Sequence, residues 1–334
     1  MLNLGLIGFG YWGPNFARVV HQSDDCNLAF ICDKDEQKRA KAEKVYPDTN
    51  VISDYNSFLN ETKVDGVIVS TPLKTHYSIV KDLLELGINV LCEKPLCYTS
   101  AELDSLQKAQ EESGAIFMIG HTFLFNSAIE YIKSMSLSDD LGDVRYVYFN
   151  RTGLGPLRQD TNAMWDLAPH DISIVLDLLG EVPKSVTAFG EIYLQDNLHD
   201  VVFIIMEFPN NVIVKIHVSW LDPCKIRTMT VVGEKKMVVF DDVSLDKVKI
   251  YDKGVSYQPN SGNFGDFQLA LRDGGISIPN ISYKEPLKEE INHFTESILN
   301  NRQPKTDFAN AASVVKVLEA AQKSLDNNNQ KVML

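Results

Sequence analysis

Two short segments of the chain carry side chains suited to shuttling protons and steadying charge. Glu93-Lys94-Pro95 follows the apolar run Ile88–Cys92, so an ammonium is expected at the end of a buried strand, where proline stops the strand. An ammonium there can bind a hydroxyl and stabilise the alkoxide that develops as a hydride leaves. The alternative is a solvated Glu93–Lys94 pair at a strand end. The second segment is Trp165-Asp166-Leu167-Ala168-Pro169-His170-Asp171. Pro169 suits the first position of a helix running from about 169 to 179, which places His170 in its first turn. The positive helix end then favours the neutral imidazole that a general base requires. Asp166, four residues earlier, would orient that ring or bind substrate, while Asp171 partly offsets the dipole. The competing assignment makes Asp166 a cap and His170 a buried interface histidine.

Gly8-Phe9-Gly10-Tyr11-Trp12-Gly13 fits G-x-G-x-x-G between an apolar run, Leu4–Ile7, and a helix expected from about Pro14. In that setting Gly8 permits the tight turn, Gly10 the approach of a pyrophosphate, and Gly13 close helix–sheet packing. The helix N-terminus adds amides and positive dipole for the phosphates. Asp33 ends the second run, 20 residues beyond Gly13, where an acid accepts from the adenosine ribose hydroxyls. A 2′-phosphate would meet like charge there, so NAD is expected over NADP, although Lys34 adjoins. Asp33 as a simple cap of the next helix is the other reading. Ser70-Thr71-Pro72 ends a central strand and His76 opens the next helix, a loop expected to border the nicotinamide half of the cofactor. For His76 a structural role and a functional one are equally open.

The elements that must position these groups alternate over residues 1–121. Runs at Leu4–Ile7, Leu28–Cys32, Val64–Ser70, Ile88–Cys92 and Ile116–Gly120 are separated by helical stretches, and Thr99 with Glu102 forms a capping box. That rhythm predicts an α/β dinucleotide-binding domain of Rossmann type with a parallel sheet. From 122 to 334 strands follow one another, predicting an α+β domain with a large, mostly antiparallel sheet. Asn210-Asn211 reads as a hairpin turn. Val212, Val214, Ile216, Val218 and Trp220 alternate with Ile213, Lys215, His217 and Ser219, as in a strand with one buried face. Helices expected at 284–300 and 308–325 cover one face only. Burial of the other against a second copy predicts a homodimer or homotetramer.

Composition narrows the class. The 334 residues hold 32 Lys and Arg against 45 Asp and Glu, a net charge of −13, which argues against nucleic-acid or anionic-membrane surfaces. Five cysteines without a C-x-x-C pair argue against a disulfide framework or a zinc ribbon, and no metal is expected. The longest apolar stretch, Val201–Met206, is far short of the ~18 residues of a membrane helix. With the chain opening on a strand rather than a cationic leader, a cytoplasmic location is expected.

Together the glycine loop, the Thr71-Pro72…His76 segment, Glu93-Lys94-Pro95, and the aspartate–histidine pair resemble the Gfo/Idh/MocA (glucose–fructose oxidoreductase / inositol dehydrogenase) family over nearly the whole chain. The resemblance implies that Lys94, Asp166 and His170 surround a reacting carbinol and meet across the bound dinucleotide's reactive ring. Ala168 stands where the family usually has glycine, and Ser173 where it usually has a later acid. Gly120-His121-Thr122-Phe123, the Arg151–Gly155 loop and Trp165–Asp171 look like the branch of nucleotide-sugar 3-dehydrogenases. That implies NAD-dependent oxidation of a pyranose hydroxyl at C3 of a nucleotide sugar, with Arg151, Arg158, Asn162, Trp165 and Asp171 as substrate contacts. An exposed structural role is equally open for Arg151, Arg158 and Asn162. Alternatives are a dehydrogenase of a free sugar or polyol such as inositol, a non-catalytic NAD-binding sensor, or an NAD-dependent glycosidase that recycles its cofactor.

Overall fold

The apolar runs read from residues 1–121 become strands in the computed structural model, which describes residues 1–56, 64–155, 157–259 and 267–334. Packing divides the chain into two units, Met1–Phe125 with Lys284–Glu319, and Asn126–Tyr283 with Ala320–Leu334. The first unit is thus discontinuous, and residues 284–319 join it rather than the stretch that begins at 122.

In the first unit β1 (Leu2–Ile7), β2 (Cys26–Cys32), β3 (Asn50–Ile52), β4 (Gly66–Val69), β5 (Asn89–Glu93) and β6 (Phe117–Gly120) form a six-stranded sheet in the order β3-β2-β1-β4-β5-β6. Every pairing is parallel. Order reverses between β1 and β4, the switch point at whose carboxyl edge ligands bind in open α/β sheets. Helices α1 (Gly13–His21), α2 (Glu36–Val45), α3 (His76–Glu85) and α4 (Ser100–Ser113) alternate with these strands. Asp35 caps α2 by accepting from Gln37 and Lys38 amides, and Thr99 with Glu102 forms the expected capping box on α4.

Two later helices, α7 (Pro286–Leu299) and α8 (Phe308–Asp326), contribute to this unit's core. Phe308, Ala311 and Val315 join Val90, Cys92, Leu103, Leu106, Phe117 and Ile119 in one buried cluster. Gly66 accommodates α7 closely, since a β-carbon there would lie 3.2 Å from both Phe294 and Ile298. Thr306 binds the sheet's last strand through Ile119, its hydroxyl donating to the Ile119 carbonyl at 2.8 Å.

The second unit has a nine-stranded sheet of β7 (Val144–Thr152), β8 (Ser185–Glu191), β9 (Val201–Glu207), β10 (Ile213–Ser219), β11 (Ile226–Gly233), β12 (Met237–Asp241), β13 (Val248–Pro259), β14 (Phe267–Ser277) and β15 (Val332–Met333). Their order is β14-β13-β12-β11-β7-β10-β9-β8-β15, with β7 and β10 parallel and the other pairs antiparallel. The alternation along β10 is realised: Val214, Ile216 and Val218 are fully buried, and Ile213 is 52% exposed. Burial of each such side chain is worth about 1.5–3 kcal/mol. Asn210 and Asn211 turn the hairpin with φ of 59° and 61°.

Helices α5 (Ser127–Leu137) and α6 (Ala163–Leu179) complete this unit, and α6 packs on β7, β9 and β10. Here the structure differs from the expected helix start. Asn162 is the N-cap, its side chain accepting from the Trp165 amide at 3.0 Å, so the helix begins seven residues before His170. Pro169 lies inside it and has no N–H to donate to the Trp165 carbonyl. Buried Ile172, Val175 and Leu176 hold the helix against the sheet regardless.

Candidate functional site

On the first unit, the glycine loop joins β1 to α1. Gly8 has φ +100°, and a β-carbon there would sit 2.4 Å from the Ser70 carbonyl oxygen. One on Gly13 would sit 2.1 Å from the Gly8 oxygen, so both positions require glycine. A β-carbon on Gly10 would meet nothing within 4 Å. That is the one place where the loop leaves room above its backbone, as a pyrophosphate requires. Phe9 is buried, while Tyr11 and Trp12 are exposed and stack on each other with ring centroids 6.5 Å apart.

Asp33 stands against the loop. Its Oδ2 accepts from the Phe9 amide at 2.7 Å and its Oδ1 from the Asp35 amide at 2.9 Å. Asp35, not Asp33, caps α2. Arg39 turns its guanidinium onto the Asp33 and Lys34 carbonyls, and Lys38 Nζ lies 3.9 Å from Asp33. The open backbone at Gly10 and the acid beside the loop fit a bound dinucleotide.

At the next strand ends, Ser70 is buried and Pro72 precedes a short turn into α3. His76, the first residue of α3, is buried with Nδ1 2.8 Å from the Pro95 carbonyl and Nε2 2.8 Å from the Thr71 carbonyl. The ring therefore ties the Thr71-Pro72 loop to the Glu93-Lys94-Pro95 loop. Lys94 directly follows β5, and its amide donates to the Glu93 carboxylate at 3.1 Å.

Sequence reasoning missed the polar groups beside this lysine. His121, at the end of β6, is 1% exposed, and burial together with the Lys94 ammonium pushes it down to about 3. Neither of its ring nitrogens has a hydrogen-bond partner among the described residues. Glu290 of α7 is fully buried, and Thr122 donates to its Oε2 at 3.0 Å. Burial, with the nearby Glu93 carboxylate, pushes the Glu290 carboxyl well above the ordinary range. Glu290 sits 168 residues after Thr122, and one glutamate in a charged helix offers no periodic signal.

On the second unit, Asp166 and His170 are four apart on α6 and so share one face. Asp166 lies in the helix's first turn, at its positive end. His170, a further turn on, is beyond the reach of that dipole. The Asp166 carboxylate is fixed from two sides: Arg158 Nε lies 2.9 Å from Oδ1, and Trp220 Nε1 donates to Oδ2 at 3.4 Å. Gln322 Oε1 accepts from both Trp165 Nε1 at 3.2 Å and Asn162 Nδ2 at 3.1 Å.

Arg151 and Asp171 pair with each other. Arg151 Nε and Nη2 donate to Asp171 Oδ1 at 3.0 and 2.7 Å, with side chains 6% and 3% exposed. Burial pushes the Asp171 carboxyl up even though Arg151 pulls it back. The pair joins β7 to α6.

Two family models match. An oxidoreductase-family, NAD-binding Rossmann model of the Gfo/Idh/MocA group covers residues 2–121, and a Gfo/Idh/MocA C-terminal domain model covers 129–239. An uncharacterised oxidoreductase of Streptococcus pneumoniae is 28% identical over 63% of this chain and 60% of its own length. A 2,7-anhydro-N-acetylneuraminate hydratase of Mediterraneibacter gnavus is 27% identical over 62% of this chain and 58% of its own. The chain thus aligns with about three-fifths of the length of these two relatives. UDP-N-acetylglucosamine 3-dehydrogenase of Acidithiobacillus ferrooxidans is 23% identical over 96% of this chain and 95% of its own. A solved structure of that name and organism superposes with a TM-score of 0.81 at 22% identity, covering 98% of this chain and 99% of the other, a likeness of fold. Among the described residues, no helix is long and apolar enough to cross a membrane.

Proposed function

Because the chain belongs to the Gfo/Idh/MocA oxidoreductase family, we propose that it is an NAD-dependent dehydrogenase that oxidises a secondary hydroxyl of a pyranose, at C3 of a nucleotide sugar. The observation that carries this reading is the pairing on α6: the Asp166 carboxyl group held by Arg158 and Trp220, with His170 one turn away on the same face. Bound NAD would supply the hydride acceptor.

His170 takes the hydroxyl proton and Lys94 steadies the oxygen as negative charge grows on it. Asp166 orients the imidazole or holds a neighbouring sugar hydroxyl. Ketoreduction, the reverse direction, uses the same groups. The near end-to-end alignment with a UDP-N-acetylglucosamine 3-dehydrogenase supports a nucleotide sugar over free inositol or glucose as substrate. Asp33, with Oδ2 on the Phe9 amide of the glycine loop and Oδ1 on the Asp35 amide, supports NAD over NADP.

Lys94→Ala tests the reading. Turnover should fall by at least about 10²-fold, the scale of losing one preorganised charge-stabilising group, while NAD still binds. Wild-type turnover in that variant would remove Lys94 from the chemistry. Titrating UDP-sugars, inositol and glucose while following NADH absorbance identifies the substrate class, and faster turnover of a free sugar would replace the nucleotide sugar. Product formed without net NADH would favour a cofactor-recycling reaction, a reading that the hydratase name of one relative supports.

The same reading includes a cytoplasmic homodimer or homotetramer formed through the sheet of the second unit. The strand face away from α6 carries exposed Phe203, Tyr146 and Ile213. A monomer in sedimentation at micromolar concentration would exclude it.

A further inference from the structure

We infer that Glu290, held by Thr122, is a positioning residue for the Glu93–Lys94 segment: a buried carboxyl on α7 that fixes where the Lys94 ammonium sits at the end of β5. The inference rests on the proposed role of Lys94. Its geometry lies entirely within the first unit. Thr122 donates to Glu290 Oε2 at 3.0 Å, and Glu290 Oε1 is buried with no hydrogen-bond partner among the described residues. Glu93 pairs in register with Gly120, two residues before Thr122. A β-carbon on Gly120 would lie 3.3 Å from the Glu93 Cα and 3.6 Å from its carboxyl carbon, so glycine lets the Glu93 side chain lie across the end of β6. From there Glu93 accepts the Lys94 amide.

Charge explains why Glu290 holds its proton. The groups that bear on it are Glu93 from β5 and Thr122 from the segment after β6. His121 adjoins Thr122 in sequence, and His293 lies three residues along α7, its Nε2 accepting from the Lys305 amide. Glu93 already supplies one carboxylate, and His121 is kept neutral beside Lys94, so neither offers a counter-charge to a second carboxylate. An ionised Glu290 would place a buried negative charge near that of half-buried Glu93. The neutral carboxyl instead accepts from Thr122 through one oxygen and carries its proton on the other. Two consequences separate this role from simple core filling. Gln, the neutral isostere, should replace Glu290, whereas Ala should not. The neutral carboxyl also makes stability pH-dependent, because its folded pKa lies above its unfolded one. Stability is then fullest below the ordinary carboxyl range and is lost as pH rises through the folded value.

The test compares wild type, Glu290→Ala, Glu290→Gln and Thr122→Val in the full chain. Acetylation of Lys94 by acetic anhydride is measured by peptide mass spectrometry, with exposed Lys108 as internal reference. Glu290→Ala and Thr122→Val should each change the Lys94 rate at least fivefold relative to Lys108, and Glu290→Gln should restore the wild-type rate. The Tm of Glu290→Gln should gain on that of wild type as pH rises above the ordinary carboxyl range, until wild-type Glu290 ionises in the folded protein. With substrate present, Glu290→Ala should lower kcat with little change in NAD affinity. Thr122→Val removes only a hydroxyl and supplies the answer if Glu290→Ala does not fold. Rates within twofold of wild type in the Ala and Val variants, a Gln variant behaving like Ala, or a pH-independent Tm difference would each overturn the inference. The acetylation and Tm measurements need no substrate, so a wild-type protein that oxidises no sugar would defeat the functional reading and leave this one standing.

Discussion

Removing one partner of the buried Arg151–Asp171 pair should destabilise the second unit in a way that depends on which partner is removed. Both side chains are almost fully buried and share hydrogen bonds of 2.7 to 3.1 Å, so neither charge has water to fall back on. Asp171→Leu leaves the guanidinium buried without that carboxylate, at a cost of about 3–5 kcal/mol. At 1.36 kcal/mol per decade, this changes the folding equilibrium by roughly 10² to 10^3.5. Arginine cannot shed its proton, so the variant cannot relieve its buried charge at either pH 5 or pH 8. Arg151→Met differs, because Asp171 can neutralise itself by holding a proton. Burial already pushes that carboxyl up, and losing Arg151 pushes it further. Its folded pKa then lies above its unfolded one, so the variant keeps its stability in the acid range and loses it as pH rises through the folded value. Since burial outweighs the attraction of Arg151 even in the intact pair, Arg151→Met/Asp171→Leu should fold about as well as wild type, within about 1 kcal/mol, or better. Urea unfolding followed by tryptophan fluorescence reads these effects. Trp165 and Trp220 report on the second unit when Trp12 is replaced by Phe. A cost below about 1 kcal/mol for Asp171→Leu, or a cost for Arg151→Met that does not change with pH, would refute the argument and return both residues to the candidate substrate contacts.

The glycine loop separates folding from binding. Gly13→Ala drives a β-carbon to 2.1 Å from backbone and should lower Tm by several degrees, whereas Gly10→Ala enters open space and should leave Tm within a degree while weakening NAD binding at least tenfold by isothermal titration. Preserved NAD affinity in Gly10→Ala would place the pyrophosphate elsewhere. Asp33→Ser should narrow the preference for NAD over NADP by at least tenfold in parallel titrations, because the like charge facing a 2′-phosphate is gone. An unchanged ratio would show that Asp33 acts only through the Phe9 amide.

The first unit's sheet was legible because each of its chemistry-bearing loops directly follows an apolar run, and because Gly8, Gly10 and Gly13 are constrained by contacts between near neighbours in sequence. Thr99 and Asp35 signal their helices by the same local logic. The start of α6 was misread because two signals compete within eight residues. Pro169 is a strong first-turn residue taken alone, but Asn162 caps earlier, and the helix carries an interior proline because its apolar face packs on β7, β9 and β10. That shift moves the positive helix end from His170 to Asp166 and removes the dipole argument for a neutral base at His170. β14 escaped notice because Arg272, Asp273 and two glycines break its alternation. Gly274 is required there, since a β-carbon would lie 2.0 Å from the Asp252 carbonyl oxygen.

The groups hardest to read were those whose role depends on separation along the chain. Nothing in Pro286–Leu299 says that this helix belongs with strands that ended at Val69 and Gly120, because an amphipathic period specifies a buried face but not the surface that buries it. Yet that choice decides the chemistry available at Lys94. Only when α7 closes on β4 and the residues after β6 does Glu290 arrive under Thr122, and only then does Glu93 acquire a carboxyl neighbour that must stay protonated. A lysine that follows a strand can be found by its motif. The field in which it works is set by long-range packing, so variants of α7, far from the glycine loop and the Glu93-Lys94-Pro95 segment in sequence, are where a change in lysine reactivity without loss of cofactor should be sought.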